Sequence, residues 1–109
     1  MPFDETLAER VRSVVGGRDA VTERRMFGAI AWMLHGNMAC GVVREDLLVR
    51  LGPEDAERAL ADPHTRPFDM GARVARGMVL VDQAALAGEA ELASWVDAGA
   101  AHAATLPPK

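Results

Sequence analysis

The chain has 109 residues, which is the size of one domain and excludes a two-domain enzyme with a cleft between its domains. Half of the residues are apolar and 26% are charged, so the chain can form an ordinary hydrophobic core and is not intrinsically disordered. The net charge of −4 disfavours non-specific binding to nucleic-acid phosphates. We therefore expect one domain over residues 1–109.

The first predicted element is a helix over residues 4–15. Asp4 is a suitable N-cap, because its carboxylate can accept a hydrogen bond from a free backbone N–H of the first turn. Gly16 and Gly17 follow the last apolar residue and end the helix. Apolar residues recur three and four positions apart and share one helix face: Leu7, Val11, Val14 and Val15.

Residues 27–51 predict three consecutive strands. His35-Gly36-Asn37 suits a hairpin loop, because it offers residues that tolerate positive φ, and Glu45-Asp46 forms a second tight turn. Tight turns join antiparallel neighbours, so the strands form a meander. In this interpretation Arg24 and Arg25 precede the first strand. The strands are residues 27–34, 38–44 and 47–51.

The second half of the chain predicts a helix, two strands and a last helix. Pro53 suits the first position of a helix, and Asp62-Pro63 ends that helix. Asp82 can cap a single turn through Leu86. The elements are a helix at 53–61, strands at 66–70 and 78–81, and a helix at 89–104. The order α-βββ-α-ββ-α predicts an α+β two-layer sandwich, with helices on one face of a five-stranded antiparallel sheet.

The residues that could carry catalysis or bind metal are few and scattered. His35, His64, His102 and Cys40 are the only strong nitrogen or sulfur ligands, and no two have the spacing of a metal site. Cys40 falls in a strand, where a small apolar residue fits, and His102 is expected on the exposed side of the last helix. Paired carboxylates such as Glu54-Asp55 are explained by helix caps and turns. We therefore predict no catalytic, metal-binding or cofactor-binding residue and no enzyme activity.

The expected location is the cytoplasm. A single cysteine rules out an internal disulfide, which fits a reducing compartment. The acidic start of the chain lacks the pattern of a signal peptide, and no apolar stretch is long enough to span a membrane. The excess of arginine over lysine and the abundance of alanine indicate a bacterial genome of high GC content.

Charged residues near the predicted strand ends suggest an interaction patch, because Arg side chains bind anionic groups and loops often carry function. The alternative is that these arginines pair with Glu23, Asp69 and Asp82 on a solvated surface. The sequence lacks the interleaved aromatic residues of a nucleic-acid site, so a protein partner is favoured. The candidate patch consists of Arg24, Arg25, Asp69, Arg73 and Arg76.

Methionine and tryptophan side chains suggest a second kind of site. Trp32, Met38 and Met78 can line a pocket for a small ligand between the sheet and the helices. The alternative is that they belong to the core, where methionine fills irregular gaps.

Several short motifs, taken in order, carry a family resemblance over residues 5–109. They are Arg25-Met26-Phe27-Gly28, His35-Gly36-Asn37-Met38, Asp46 to Arg50, Arg66 to Met70, Arg76 to Val79, Trp95-Val96 and Leu106 to Lys109. In these motifs the chain resembles the TfoX N-terminal domain family (TfoX/Sxy-like proteins). It departs from the family at Ala29 and at Gly71-Ala72, where other members often have glycine and Thr-Gly.

The resemblance implies a fold like that of secretion chaperones and no catalytic or cofactor residues. The competence regulators of the family carry a further C-terminal domain, which we do not expect here. The leading hypothesis is a small cytosolic non-enzymatic domain that acts as a regulatory or protein-interaction module. The alternatives are a small-ligand-binding protein and, less favoured, a nucleic-acid-binding regulator. Pairing of an edge strand with a second copy would give a homodimer, and the sequence leaves this open.

Overall fold

The computed structural model describes residues 3–16, 18, 20–26, 28–69 and 74–108. Within these ranges the chain forms three α-helices, six strands and one short 3-10 helix. The helices are α1 (Glu5–Val15), α2 (Pro53–Ala59) and α3 (Glu89–Ala104), and the 3-10 helix is Gln83–Leu86. The strands are β1 (Val21–Met26), β2 (Ala29–Leu34), β3 (Asn37–Val43), β4 (Asp46–Arg50), β5 (Thr65–Asp69) and β6 (Val74–Val81).

The strands form one antiparallel sheet in the order β1-β2-β3-β4-β6-β5. The predicted α+β class with an antiparallel sheet is confirmed, but the number of strands was wrong, because β1 was expected to be a segment before the first strand. β1 has charged residues at its centre, Glu23, Arg24 and Arg25, and so lacks the apolar pattern of a strand. β1 tolerates these charges because it is an edge strand, which pairs with only one neighbour. Charged residues on such a strand discourage its free edge from pairing with another chain.

The helices cover one face of the sheet, as the sequence predicts, and we call this the inner face. Cross-strand neighbours point to the same face, so the register assigns the inner side chains. They pack against Leu7 and Val11 of α1 and against Leu92 and Val96 of α3. The inner residues of β2, β3, β4 and β6 are Ile30, Trp32, Cys40, Val42, Leu47, Val49, Val79 and Val81, and each is at most 1% exposed.

A β-bulge in β3 brings α3 close to the sheet. Trp32 pairs with Cys40 but Met33 pairs with Met38, so Ala39 is the extra residue. As a result Ala39 and Cys40 are both buried, although strict alternation would place them on opposite faces. Gly99 of α3 faces the bulge, and a Cβ atom built on it would lie 2.3 Å from the carbonyl oxygen of Ala39. The approach of α3 to the sheet therefore depends on the missing side chain.

Two predicted local features are confirmed in detail. The backbone N–H of Leu7 donates to Oδ1 of Asp4 at 3.0 Å, so Asp4 caps α1. His35 and Gly36 have φ values of 51° and 83°, and two positive values are typical of a type I′ hairpin turn. Asn37, which was grouped with this turn, instead begins β3, is buried and donates to the carbonyl of Pro107 at 2.9 Å.

The β5–β6 hairpin differs from its prediction. β6 begins at Val74 instead of residue 78, and its register against β5 shifts between Pro67 and Phe68. Gly77, inside this irregular part, has φ of 87° and accepts hydrogen bonds from the backbone N–H groups of Leu51 and Gly52. The predicted strand ends at Phe27 and Met70 lie outside the described residues.

We expect Gly99→Ala to lower the free energy of unfolding by up to about 2 kcal/mol. The added methyl group overpacks the contact with Ala39, which typically costs 1–3 kcal/mol, although alanine is the better helix former by about 1 kcal/mol. Urea denaturation of both proteins measures the change. The matched control is Ala101→Gly on the exposed side of α3, where helix propensity alone predicts a loss of about 1 kcal/mol. A Gly99→Ala protein more stable than the wild type would contradict the close approach of α3.

Candidate functional site

The strand order does not bring the predicted interaction patch together. Arg24 and Arg25 lie in β1 at one edge of the sheet, whereas Asp69 and Arg76 lie in β5 and β6 at the other. Three strands separate β1 from β6, which places them about 19 Å apart at about 4.8 Å per strand. Arg73 lies outside the described residues. The patch expected from clustering in the sequence is therefore divided between two edges.

Arg24 and Arg25 also point to opposite faces of the sheet. Arg25 is opposite Ile30 on the inner face, and its guanidinium carbon lies 5.3 Å from the centre of the Phe3 ring. This distance is typical of a cation–π contact, so Arg25 helps to hold the segment that leads into α1. Arg24 is exposed, is opposite Ala31 and points to the face that the helices leave uncovered.

The ion pairs differ from those expected of the candidate arginines. Glu23 pairs with Arg12 of α1, and an oxygen of Asp82 lies 3.6 Å from Nδ1 of His64. Among the described residues no arginine of the candidate patch forms an ion pair with either acid. The sequence could not show this, because packing of α1 on the inner face is what places Arg12 beside β1.

The three predicted pocket residues do not come together in one pocket. Trp32 is 1% exposed and belongs to the core of the inner face. Met38 is half-buried and pairs with Met33 on the other face. Met78 is half-buried and lines a groove beside α2. The core interpretation is therefore right for Trp32, and the three residues do not line a common cavity.

The face opposite the helices, which we call the outer face, has a centre of small and aliphatic residues with an arginine at each edge. Ala31 and Leu48 at its centre are each 5% exposed. Two further cross-strand pairs, Met33–Met38 and Arg50–Met78, point to the same face, and all four side chains are half-buried. The central row, read across the sheet from β1 to β5, is Arg24, Ala31, Gly41, Leu48, Leu80 and Arg66.

The outer face has the opposite charge to the protein as a whole. Arg24, Arg50 and Arg66 point to it, and Asp46 pairs with Arg66. Three arginines and one aspartate give the described part of this face a charge of +2, while the whole chain carries −4. Within the described residues Arg24 and Arg50 form no ion pair. The outer face therefore combines apolar contact area with two arginines free to meet an anionic partner.

A shallow groove between α2 and β6 is the second candidate site. Its volume is about 280 Å³, and it contains one residue of the predicted patch, Arg76, and one of the predicted pocket, Met78. Leu60 at its rim is 38% exposed, the one large apolar side chain in the described residues with that much exposure. Ligand pockets typically exceed about 300 Å³, so the groove suits only part of a small molecule. Its other lining residues are Pro53, Ala56, Glu57, Pro67 and Gly77.

Trp32, Glu23 and Arg12 form a polar contact at the edge of the core. The indole Nε1 of Trp32 donates to Oε1 of Glu23 at 3.2 Å, and Arg12 donates to the same carboxylate. The hydrogen bond from Arg12 is the main cause that lowers the pKa of Glu23 below its usual range. The contact joins β1, β2 and α1 and completes the hydrogen bonding of a buried indole, so its role is structural.

Cys40 is fully buried on the inner face. Burial raises the pKa of its thiol to about 12, so the reactive thiolate is scarce at neutral pH. This environment supports the expectation that Cys40 fills core space and does not act as a nucleophile.

The remaining candidate ligands do not assemble either. The described part of the chain contains no group of three or more His, Cys, Asp or Glu side chains that could hold a metal ion. His102 was expected to be exposed, but it is half-buried, and its ring covers Gly52 so closely that a Cβ atom there would lie 2.8 Å from Cε1. No helix in the described ranges is both long and apolar enough to cross a membrane.

The family model of the TfoX N-terminal domain matches residues 13–103. The chain belongs to the TfoX N-terminal domain family. The matched residues begin within α1, end within α3 and include every strand, so both candidate sites lie inside the domain. No curated protein and no solved structure matches the chain.

Sequence reasoning missed the outer face of this TfoX N-terminal domain. β2 is apolar on both faces, so Ala31 and Met33 are hidden among Ile30 and Trp32, and the alternation that normally separates two faces is absent. The usable signal is Arg50 in β4, because alternation along the strand places it on the opposite face from Leu47 and Val49. Extending that face across the sheet requires the strand order, which the sequence does not provide.

We expect the Glu23→Gln variant of the domain to lose less stability on acidification than the wild type. A carboxylate whose pKa is lower when folded stabilises the fold above its unfolded pKa of about 4.3, and this contribution disappears as the pH falls. Unfolding free energies measured between about pH 6 and pH 3 give the two slopes. The control is Glu57→Gln at an exposed position on α2, which removes a carboxylate away from this contact. Equal slopes for Glu23→Gln and wild type would contradict the contact with Arg12.

We expect Cys40 in the native TfoX N-terminal domain to resist a thiol reagent such as DTNB at pH 8. Its burial and raised pKa leave labelling dependent on opening of the core. As the chain has one cysteine, the absorbance change reports this residue alone. Protein in 6 M guanidinium chloride is the control and should react completely within minutes. Equally fast labelling of the native protein would show an accessible thiol.

Proposed function

We propose that this TfoX N-terminal domain is a non-enzymatic regulatory module that acts in the cytoplasm by contact with another protein. The observation that carries the proposal is the outer face, where half-buried methionines and arginines lie around a centre of small and aliphatic residues. Methionine and arginine are enriched in protein interfaces, because methionine adapts its shape and arginine combines charge with apolar contact. Assignment to a family that includes regulators supports the regulatory part.

The structure gives two reasons to favour a different protein over a second copy as partner. Homodimers that extend a sheet pair their edge strands, but edge strand β5 contains Pro67, which has no N–H to donate. The other edge strand, β1, has three consecutive charged residues, Glu23 to Arg25. Face-to-face packing of two outer faces would bring Arg24 and Arg50 of both copies together, and like charges oppose it.

Capture from cells of the source organism tests the proposed function. The tagged chain at native expression is crosslinked in living cells, and the captured proteins are identified by mass spectrometry. We expect one protein that also forms a complex with the purified chain with Kd below about 10 µM, and whose own activity changes on binding. The tag alone is the control. Absence of any complex that can be rebuilt from purified components would contradict the proposal.

A small-ligand function is the second candidate, and the groove between α2 and β6 is the observation that favours it. The apolar floor at Ala56 and Met78 lies beside the guanidinium-bearing Arg76, an arrangement suited to a small apolar anion. A thermal-shift screen with carboxylate and phosphate metabolites would detect it as a raised Tm. Loss of that shift in Arg76→Gln, with retention in Arg58→Gln on the exposed side of α2, would assign the ligand to this groove.

A further inference from the structure

We infer that the outer face binds an acidic amphipathic helix of its partner, with the apolar side of that helix on the methionines and its acidic residues at Arg24 and Arg50. This inference rests on the proposed protein-contact function and specifies the surface and the partner's chemistry. It follows from three properties of the described outer face, which are its shape, its apolar side chains and its charge.

The shape of the outer face comes from the small residues at its centre. Ala31 is followed across the sheet by Gly41, which has no side chain, and then by Leu48. A Cβ atom on Gly41 would lie 2.8 Å from the carbonyl oxygen of Ile30, so the strand pairing itself requires glycine at this position. Longer side chains, Met33 and Met38, stand beside this low centre. Two small residues beside longer ones leave a low point on this face, where an apolar side chain projecting from a partner helix can pack.

The apolar contacts come from side chains that can change shape. Met33 and Met38 are cross-strand neighbours, and both are half-buried, so each has surface left to offer. Unbranched methionine side chains adapt to different apolar partners, and grooves that receive amphipathic helices often use them. β-branched residues in these positions would give a fixed surface, whereas the methionines can close over the centre without a partner and move aside with one.

The charge selects an acidic partner. Arg24 lies at the β1 edge of the outer face, and Arg50 lies near its middle in β4. Neither has an ion pair among the described residues, whereas Arg66 is already paired with Asp46. A helix with acidic residues flanking its apolar stripe would meet both free arginines, and each pair would form partly shielded from water. A basic helix would meet the same arginines with repulsion, so the charge distinguishes partners of equal hydrophobicity.

The test uses methyl NMR with peptides of defined sequence. The chain has six methionines, and ¹³C-methyl labelling gives one signal for each, with Met33 and Met38 assigned by Met→Leu variants. The probe is an 18-residue peptide with leucine at helical spacing and glutamate on both flanks. The matched control peptide carries lysine in place of every glutamate. We expect the acidic peptide to shift the Met33 and Met38 methyl signals with Kd below about 100 µM, and the basic peptide to shift them at least tenfold more weakly.

Protein variants locate the charge contact. The double variant Arg24→Glu/Arg50→Glu should bind the acidic peptide at least tenfold more weakly than the wild type does, and it should bind the basic peptide more tightly than the wild type does. Arg58→Glu on α2 makes the same type of charge change away from the outer face and should change Kd less than twofold. Because Arg50 is half-buried, thermal unfolding checks that the double variant is folded. Arg24→Gln provides an exposed single substitution with an expected three- to tenfold weakening, should the double variant not fold.

Three outcomes would overturn the inference. Equal binding of both peptides would show that charge does not select the partner, and shifts confined to other methionines would place binding elsewhere. Competition for the same methyl signals by a 20-nucleotide single-stranded DNA at 150 mM salt, stronger than the peptide, would make the face a nucleic-acid site. If a captured natural partner binds Arg24→Glu/Arg50→Glu as tightly as wild type, the protein-contact function stands and this surface is wrong. If neither peptide nor natural partner binds, both proposals fall.

Discussion

The contact between α3 and the bulge of β3 is the constraint on which the rest of the structure depends. Gly99 allows the helix backbone to approach the carbonyl of Ala39, and the bulge turns both Ala39 and Cys40 toward the helices. At this distance Leu92 and Val96 reach the inner residues of the sheet. A larger residue at Gly99 would lift α3 from β3 and open the apolar layer that the strands and helices share, because close-packed interiors do not absorb such a shift. One missing side chain thus sets the spacing of the two layers.

That spacing also explains why the two faces of the sheet differ. The large aliphatic side chains and Trp32 are used on the inner face, where each is almost completely buried. The outer face is left with alanine, glycine, leucine and methionine, with Arg24 and Arg66 in its edge strands and Arg50 near its middle. Such a surface loses little when it is exposed to water, because Ala31 and Leu48 at its centre are each only 5% exposed and its methionines are half-buried. It also keeps enough apolar area to gain from a partner, which is the balance that a reversible contact requires.

Sequence reasoning predicted those parts of the fold whose signals are local. Asp4 as N-cap, His35-Gly36 as a turn and Pro53 at a helix start each follow from the chemistry of a few adjacent residues, and the structure has them. β1 was missed because it is an edge strand with charged residues at its centre. Glu23 pairs with Arg12 of α1, and Arg25 lies over the ring of Phe3, which precedes α1, and neither contact is visible in the sequence. The bulge at Ala39 was missed because it changes register without changing composition. The candidate patch was wrong because it joined two groups of residues, one near residue 24 and one near residue 73, on a single surface. The strand order, which the sequence does not provide, places these two groups at opposite edges of the sheet.

The strand order determines where the unpaired positive charges lie on the outer face. Because β6 lies between β4 and β5, the arginine of the last strand, Arg66, is paired by Asp46 from two strands away, while Arg50 keeps its charge unpaired among the described residues. In the observed order the unpaired charges fall at the β1 edge and near the middle, on the same side of the sheet as Met33 and Met38. The charge and the apolar surface therefore overlap, so an acidic residue of a partner and its apolar neighbour one helical turn away meet complementary groups together.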